Sequence, residues 1–317
     1  MDIQVMNTLT SNLRNNINKV IIGKNETINY VITALIAGGH VLLEDTPGTG
    51  KTLLAKSLAK SIDASFQRVQ FTPDLLPADI TGLNIYNQKE GNFNFIKGPA
   101  FTNILLADEI NRATPRTQSS LLECMEEHQI TIDGVTRTLE DPYFVIATQN
   151  PIETAGTYPL PEAQLDRFMM QLSVGFPNEE EELLMIDRFI ADNPLAELNA
   201  VCTTSDIIAM REYCKGIYIH QCLREYIVSI IQQTRKHSAI SLGVSPRGTL
   251  AFIKAVQVYA AINNRTFVLP DDIKALGLPI LKHRTICYTG KNLGNATHPV
   301  EEIIKSIPVP SEDFSNK

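Results

Sequence analysis

A chain of 317 residues, 44% hydrophobic and 20% charged, holds enough apolar material for an ordinary core and is long enough for two domains. Its formal charge of -7, with no basic run, argues against a protein that grips nucleic acid by neutralising phosphates. The first residues lack the basic flank and apolar stretch of a secretory signal, and no apolar run approaches the roughly 20 residues needed to cross a bilayer, so the chain reads as cytoplasmic.

Leu13, Ile17, Val20 and Ile21, then Ile28, Val31, Ile32, Leu35 and Ile36, recur at helical spacing. They predict two helices within residues 11 to 37, separated at Ile22-Gly23. The short apolar run His40 to Leu43 reads as a buried parallel strand. A glycine-rich turn, Thr46 to Gly50, leads into a predicted helix over Thr52 to Ser61. Two further apolar runs, Asn103 to Ala107 and Tyr143 to Thr148, read as strands. The pattern implies an α/β fold, a parallel sheet with helices on both faces.

Two stretches read as hairpins: Asn84 to Ile96 turning at Gly91-Asn92, and His128 to Leu139 turning at Asp133-Gly134. After Phe176-Pro177-Asn178 the pattern becomes helical, over about 179–190, 205–214, 220–236, 246–262, 271–283 and 299–306. Asn178 is a predicted cap for an acidic first turn, Glu179 to Glu182, that suits the positive end of a helix dipole. These changes put a domain boundary at 177, with a nucleotide-binding α/β domain over 1–177 and a smaller all-helical domain over 178–317. The tail from Pro308 to Lys317 reads as loose. The five cysteines, at 124, 202, 214, 222 and 287, form no Cys-x-x-Cys pair, so they read as idle thiols rather than metal ligands.

The chemistry concentrates in two motifs. Asp45-Thr46-Pro47-Gly48-Thr49-Gly50-Lys51-Thr52 lies between a predicted strand and a predicted helix, the context of a phosphate-binding loop. Glycines let backbone N–H groups turn onto phosphate oxygens, and the helix start adds donors to the same anion. Lys51 would reach the β- and γ-phosphates of ATP, and the Thr52 hydroxyl would bind Mg²⁺. Asp45 stands where the strict pattern has glycine. The second motif is the apolar strand that ends in Asp108-Glu109: Asp108 suits the Mg²⁺ shell, and Glu109 suits the base that orients attacking water.

With these residues placed, the chain resembles the AAA+ ATPases and, within them, the MoxR family. The resemblance covers nearly the whole chain and rests on motifs in order: Val20-Ile-Ile-Gly23, the Leu43 to Thr52 loop, Asp108-Glu-Ile-Asn-Arg112, Ala147-Thr-Gln-Asn150, Leu160 to Phe168 and Ser245-Pro-Arg-Gly248. It implies that Val20, Ile21 and Ile22 pack on adenine, although their periodicity also fits helix-end core. It implies that Asn150 is the sensor that holds the lytic water or touches the γ-phosphate; an ordinary turn asparagine before Pro151 is the alternative. Arg247, projecting from a helix capped by Ser245, matches a second sensor that grips the γ-phosphate. Arg167 matches the finger that completes a neighbouring subunit's site, and hence implies a homo-oligomeric ring, a hexamer; a local salt bridge between Asp166 and Arg167 is the alternative. In the family the hairpins point towards the ring pore. Tyr86, Phe93 and Phe95 would either meet substrate there or pack across the hairpin.

The function that follows is an ATP-hydrolysing chaperone that remodels protein clients, with a von Willebrand A-domain partner implied by the resemblance alone. A nucleic-acid motor is the competing class, disfavoured by the acidic balance. A nucleotide-gated scaffold is the third, for which Asp45 is the only sign. Small-molecule kinases share the loop but lack a helical lid with a sensor arginine.

Overall fold

A computed structural model describes residues 1–151, 156–191, 193–288 and 297–310. Helices α1 (Ile3–Asn18) and α2 (Asn25–Ala37) precede β1 (Val41–Glu44), α3 (Lys51–Ser61) and β2 (Phe66–Gln70). Helix α4 (Pro77–Thr81) leads to a hairpin of β3 (Gly82–Asn87) and β4 (Asn92–Lys97). Strand β5 (Ile104–Asp108) is followed by α5 (Pro115–Glu127), a second hairpin of β6 (Gln129–Ile132) and β7 (Val135–Thr138), and β8 (Phe144–Gln149). Next come α6 (Glu162–Leu165), β9 (Met170–Leu172), α7 (Glu179–Ala191), α8 (Pro194–Glu197), α9 (Thr204–Cys214) and α10 (Gln221–Lys236). The described chain ends with β10 (Ile240–Leu242), α11 (Pro246–Ile262), α12 (Pro270–Leu281), β11 (Ile286–Cys287) and α13 (Pro299–Ser306).

Five strands form one parallel sheet in the order β2-β5-β8-β1-β9. Alternate residues feed two cores. Val41, Leu43, Ile104, Leu106, Phe144 and Ile146 face α1, α2, α3 and the later helices. Leu42, Leu105, Ala107, Val145 and Ala147 face Leu121, Leu122 and Met125 of α5. Burial on both faces is why these strands read as unbroken apolar runs. Because all run the same way, β1, β5 and β8 release their chains at one edge of the sheet, where ligands bind in open α/β folds.

The helical region packs on the first core rather than beside it, since α11 and α12 share a cluster with α1 and α2. Tyr30 of α2 donates to Glu26 and to the Ala275 carbonyl of α12. Arg284, almost wholly buried, donates to Asp166 Oδ1 at 2.7 Å and to the carbonyls of Asp166, Phe168, Met169 and Ile280. Helix α7 is different: its Leu183, Leu184, Ile186 and Ile190 are exposed, and Arg188 ties it to the carbonyls of Asn18 and Lys19.

The expected caps form. Asn178 Oδ1 accepts from Glu181 N while Glu181 returns a bond to Asn178 N, and Ser245 Oγ accepts from Gly248 N. In other places the structure departs from the expectations. The first helix begins at Ile3 instead of near residue 11. Strands β2 and β9 and helix α5 are additions, and the later region is not purely helical, because β10 and β11 pair there. The first hairpin packs on the second through Asn84–Asp133 and through Arg137 over the Phe95 ring. Phe95 is therefore a packing residue, whereas Tyr86 and Phe93 touch each other and stay exposed. The part of the expected loose tail from residue 311 onward lies outside the described residues.

His40, just before β1, is buried with both ring nitrogens engaged: Nδ1 accepts from Val145 N, and Nε2 donates to the Met125 carbonyl. Burial pushes its pKa down to about 4. The unfolded chain takes up this proton near 6.5 and the folded chain does not, so stability is complete above about 6.5 and falls as pH drops towards 4. The contribution of His40 is of order 3 kcal/mol, with buried His283 acting in the same direction. Denaturant unfolding between pH 7 and 4.5 should show this loss, with a shallower slope in His40→Gln, whose amide supplies one donor and one acceptor. Equal slopes would exclude His40 as a source.

Candidate active site

Strand β1 delivers the chain into the loop from Asp45 to Gly50. Gly48 and Gly50 both sit at φ +87°, and a side chain at either would meet nothing within 4 Å. The backbone sign, not crowding, calls for glycine. Gly50 also caps α3 without offering a side chain, so the first N–H groups of that helix have no side-chain acceptor. Lys51 Nζ donates to the carbonyls of Asp45 and Thr46, both at 2.9 Å. Partial burial lowers its pKa, against the opposing pull of Asp45, Asp108 and Glu109.

Asp45 has a structural explanation. Its carboxylate accepts from Ser173 Oγ at 2.6 Å, Val174 N at 2.6 Å and Gly175 N at 3.2 Å. The departure from glycine is thus a tie between the loop and the segment beyond β9. Neighbouring Glu44 makes a similar tie, accepting from Gln149 and Gln171 on the flanking strands.

At the tip of β5, Asp108 Oδ1 accepts from Thr148 Oγ1 at 2.6 Å, and Oδ2 accepts from Arg68 Nη2 at 2.7 Å. Glu109 stands in the left-handed region at φ 56°, uncommon for a residue with a Cβ. Its N–H donates to the same Thr148 hydroxyl at 2.8 Å. Its carboxylate accepts from Gln70 at 2.8 Å and lies 3.0 Å from Arg112 Nε. Arg68, Gln70, Arg112 and Thr148 were not singled out from the sequence. The first two alternate along β2, their only signal, while the other two stand inside quoted motifs.

A cavity of about 410 Å³ is lined by the loop from Pro47 together with Lys51, Thr52, Asp108, Glu109 and Asn150. These residues come together as expected. Thr46 contributes its carbonyl to Lys51 rather than a cavity wall. Val20 and Ile21 are buried in the main core, Ile22 is half-buried, and none of the three lines this cavity. Arg167 and Arg247 do not line it either. Both pair with Glu126: Arg167 Nε lies 2.9 Å from Oε2, in ionic contact without hydrogen-bond alignment, and Arg247 Nη2 meets Oε1. The alternative bridge from Asp166 to Arg167 does not form, because Asp166 is taken by Ser245 and Arg284.

Among the described residues no group of three His, Cys, Asp or Glu could hold a metal unaided. That suits Mg²⁺, which binds through one or two protein oxygens plus phosphates and water. Thr52 and Asp108 are donors of that kind. A larger cavity, about 670 Å³, lies between α2, α12 and α13, but no glycine is among the described residues that line it.

A family model of ATPases associated with various cellular activities matches residues 40–170, and a model of the AAA lid domain matches 232–307. Chaperone MoxR1 of Mycobacterium tuberculosis is 37% identical over 306 residues, covering 93% of this chain and 80% of that protein. The chain belongs to the MoxR family of AAA+ ATPases. YeaC of Bacillus subtilis is 48% identical over 296 residues, 93% of this chain and 92% of that one. A crystal structure from Cytophaga hutchinsonii superposes with a TM-score of 0.89 at 37% identity, over 98% of this chain and 97% of that chain. As a MoxR-family member the protein binds nucleotide and hydrolyses ATP.

Thr148→Val would keep the shape of β8 but leave Asp108 Oδ1 and the Glu109 N–H without their shared partner. The expected loss is roughly 1–3 kcal/mol in denaturant unfolding. Steady-state hydrolysis should fall about ten-fold or more as Glu109 loses its anchor. Parental stability and rate in this variant would show that the hydroxyl anchors neither residue.

Proposed function

We propose that the 410 Å³ cavity is the ATP site of a MoxR-type chaperone that works as a homo-oligomeric ring, a hexamer, to remodel protein clients. The observation that carries this reading is the meeting of the loop, Lys51, Thr52, Asp108, Glu109 and Asn150 at one edge of the sheet. The loop N–H groups and α3 would bind the phosphates, and Lys51 would turn from the loop carbonyls to the β- and γ-oxygens. Mg²⁺ held by Thr52 and Asp108 would neutralise charge on the transferred phosphoryl group. Glu109, its carboxylate steadied by Gln70 and Arg112, orients and deprotonates the attacking water, and Asn150 holds that water without repelling the phosphate. Val20, Ile21 and Ile22 support the adenine end from the core rather than by facing the phosphates.

Arg167 stands off its own cavity, which favours a role on a neighbour's ATP. Arg247, expected to grip its own subunit's γ-phosphate, lies beside Arg167 instead. Residues 1–177 then form the nucleotide domain and 178–317 the lid. The name of the relative Chaperone MoxR1 supports a protein client, and exposed Tyr86 and Phe93 are the aromatic residues available to touch it. A von Willebrand A-domain protein is the kind of partner the family suggests. Five cysteines, all free, fit a cytoplasmic setting, and no described helix is long and apolar enough to cross a membrane.

Two experiments test the reading. Glu109→Gln removes the base but keeps the side chain's size, so ATP should bind and persist, and client proteins should co-purify with the ATP-loaded variant. Parental turnover by Glu109→Gln would move the base elsewhere, and single-stranded DNA that stimulates turnover would favour the motor class instead.

Arg167→Ala should bind ATP normally yet lose about 10³–10⁵ in rate. Mixed with Lys51→Ala, which keeps the arginine but cannot use its own site, it should regain activity wherever the two adjoin. Mixed rings that form and stay inactive would refute the trans assignment.

A further inference from the structure

Glu126 is the next-to-last residue of α5, and one carboxylate there meets two guanidiniums from distant parts of the chain. Arg167 follows the short helix α6, and Arg247 lies in the first turn of α11 in the helical region. A second tie runs beneath the first. Asp166 Oδ2 accepts from Ser245 Oγ, the cap of α11, at 2.7 Å, and Asp166 Oδ1 accepts from Arg284 at 2.7 Å. Two adjacent residues, 166 and 167, are therefore fastened to the start of α11, one directly and one through Glu126.

Charge makes the carboxylate necessary. Arg167, Arg247 and Arg284 supply three positive charges, and Asp166 and Glu126 supply two negative ones, so these five side chains carry a surplus of one positive charge. The pKa of Arg284 is lowered chiefly by its burial, with a smaller contribution from the like charge of Arg247. Without Glu126 between them, Arg167 and Arg247 would separate into water. With it, among the described residues neither guanidinium has another hydrogen-bond or ion-pair partner, so their remaining donors are available to an anion.

We propose that Glu126 is a positioning residue that holds Arg167 and Arg247 together as one cationic unit presented to the terminal phosphate of a neighbouring subunit's ATP. The proposal rests on the reading of Arg167 as a residue that acts in trans. Its chemistry is that of a guanidinium pair meeting a polyanion, with the carboxylate fixing the rotamers beforehand and withdrawing no donor that the phosphate needs. Glu126 does not line the nucleotide cavity of its own subunit.

Glu126→Gln, which keeps the length and one acceptor but loses the charge, should lower kcat about ten-fold, with the KM for ATP within about two-fold of the parent. ATP affinity at the subunit's own site, measured by calorimetry, should be unchanged. Glu126→Asp, with the charge one methylene back, should be faster than the Gln variant. In an Arg167→Ala background, Glu126→Gln should add less than about two-fold, because the two act as a unit.

Mixtures with Lys51→Ala separate the outcomes. If Glu126→Gln regains activity there, as Arg167→Ala does, the carboxylate serves the neighbour's site. If Arg167→Ala is rescued and Glu126→Gln is not, Glu126 works within its own subunit and the proposal fails while the trans reading stands. If neither is rescued in rings shown to be mixed, the trans reading fails and the proposal falls with it. A parental rate in Glu126→Gln, or an Asp variant slower than the Gln variant, also overturns it.

Discussion

One hydroxyl holds the acidic end of the site. Thr148 donates to Asp108 and accepts from the Glu109 N–H, so a residue on β8 fixes two consecutive residues at the tip of β5. It can do so only because β5 and β8 are parallel neighbours in register, Ala107 opposite Ala147. The left-handed backbone of Glu109 costs roughly 1–3 kcal/mol, and such strain persists only where surroundings over-determine it. Here the N–H is held by Thr148 and the carboxylate by Gln70 and Arg112. The turn that aims Glu109 into the cavity is thus a property of three strands and not of the Asp-Glu pair alone.

The same sheet explains what could be read from the sequence. Strands β1, β5 and β8 are buried on both faces, so their apolar runs announced them, and the glycine loop and the Asp-Glu pair followed from their ends. The later helices carry strong periodicity and real caps at Asn178 and Ser245, and their predicted limits fall within about two residues of those observed. Strand β2 lies at the sheet edge with the sequence Phe-Gln-Arg-Val-Gln, mostly polar, and so gives no apolar run. Strand β9 has three residues, too few for a pattern. Arg68 and Gln70 were lost with β2.

Other features are beyond any local rule. Asp166 beside Arg167 invited a neighbour pairing, yet both oxygens of Asp166 are claimed by Ser245 and Arg284, far along the chain. Arg167 then finds Glu126 on a helix that was itself overlooked. Val20 and Ile21 satisfied two descriptions in the sequence, and their burial meets the core description without excluding the other. Position along the chain can identify an arginine by motif, but which cavity it serves depends on how the helical region packs. That region shares a core with α1 and α2 on one face of the sheet, and the packing carries Arg247 to Glu126 rather than to the phosphate loop of its own subunit.

Asp45 carries a consequence of another sort. It is the first residue of the loop, and its carboxylate grips Ser173, Val174 and Gly175, the stretch from which the chain leaves the sheet for α7. No intermediate side chain stands between the two. The first residue of the loop and the first residues of the outgoing chain are therefore held in one fixed relation by a single carboxylate. Measured against the general phosphate-loop pattern Asp45 would score as a defect, yet a designer restoring glycine there would remove all three of these bonds while perfecting the motif.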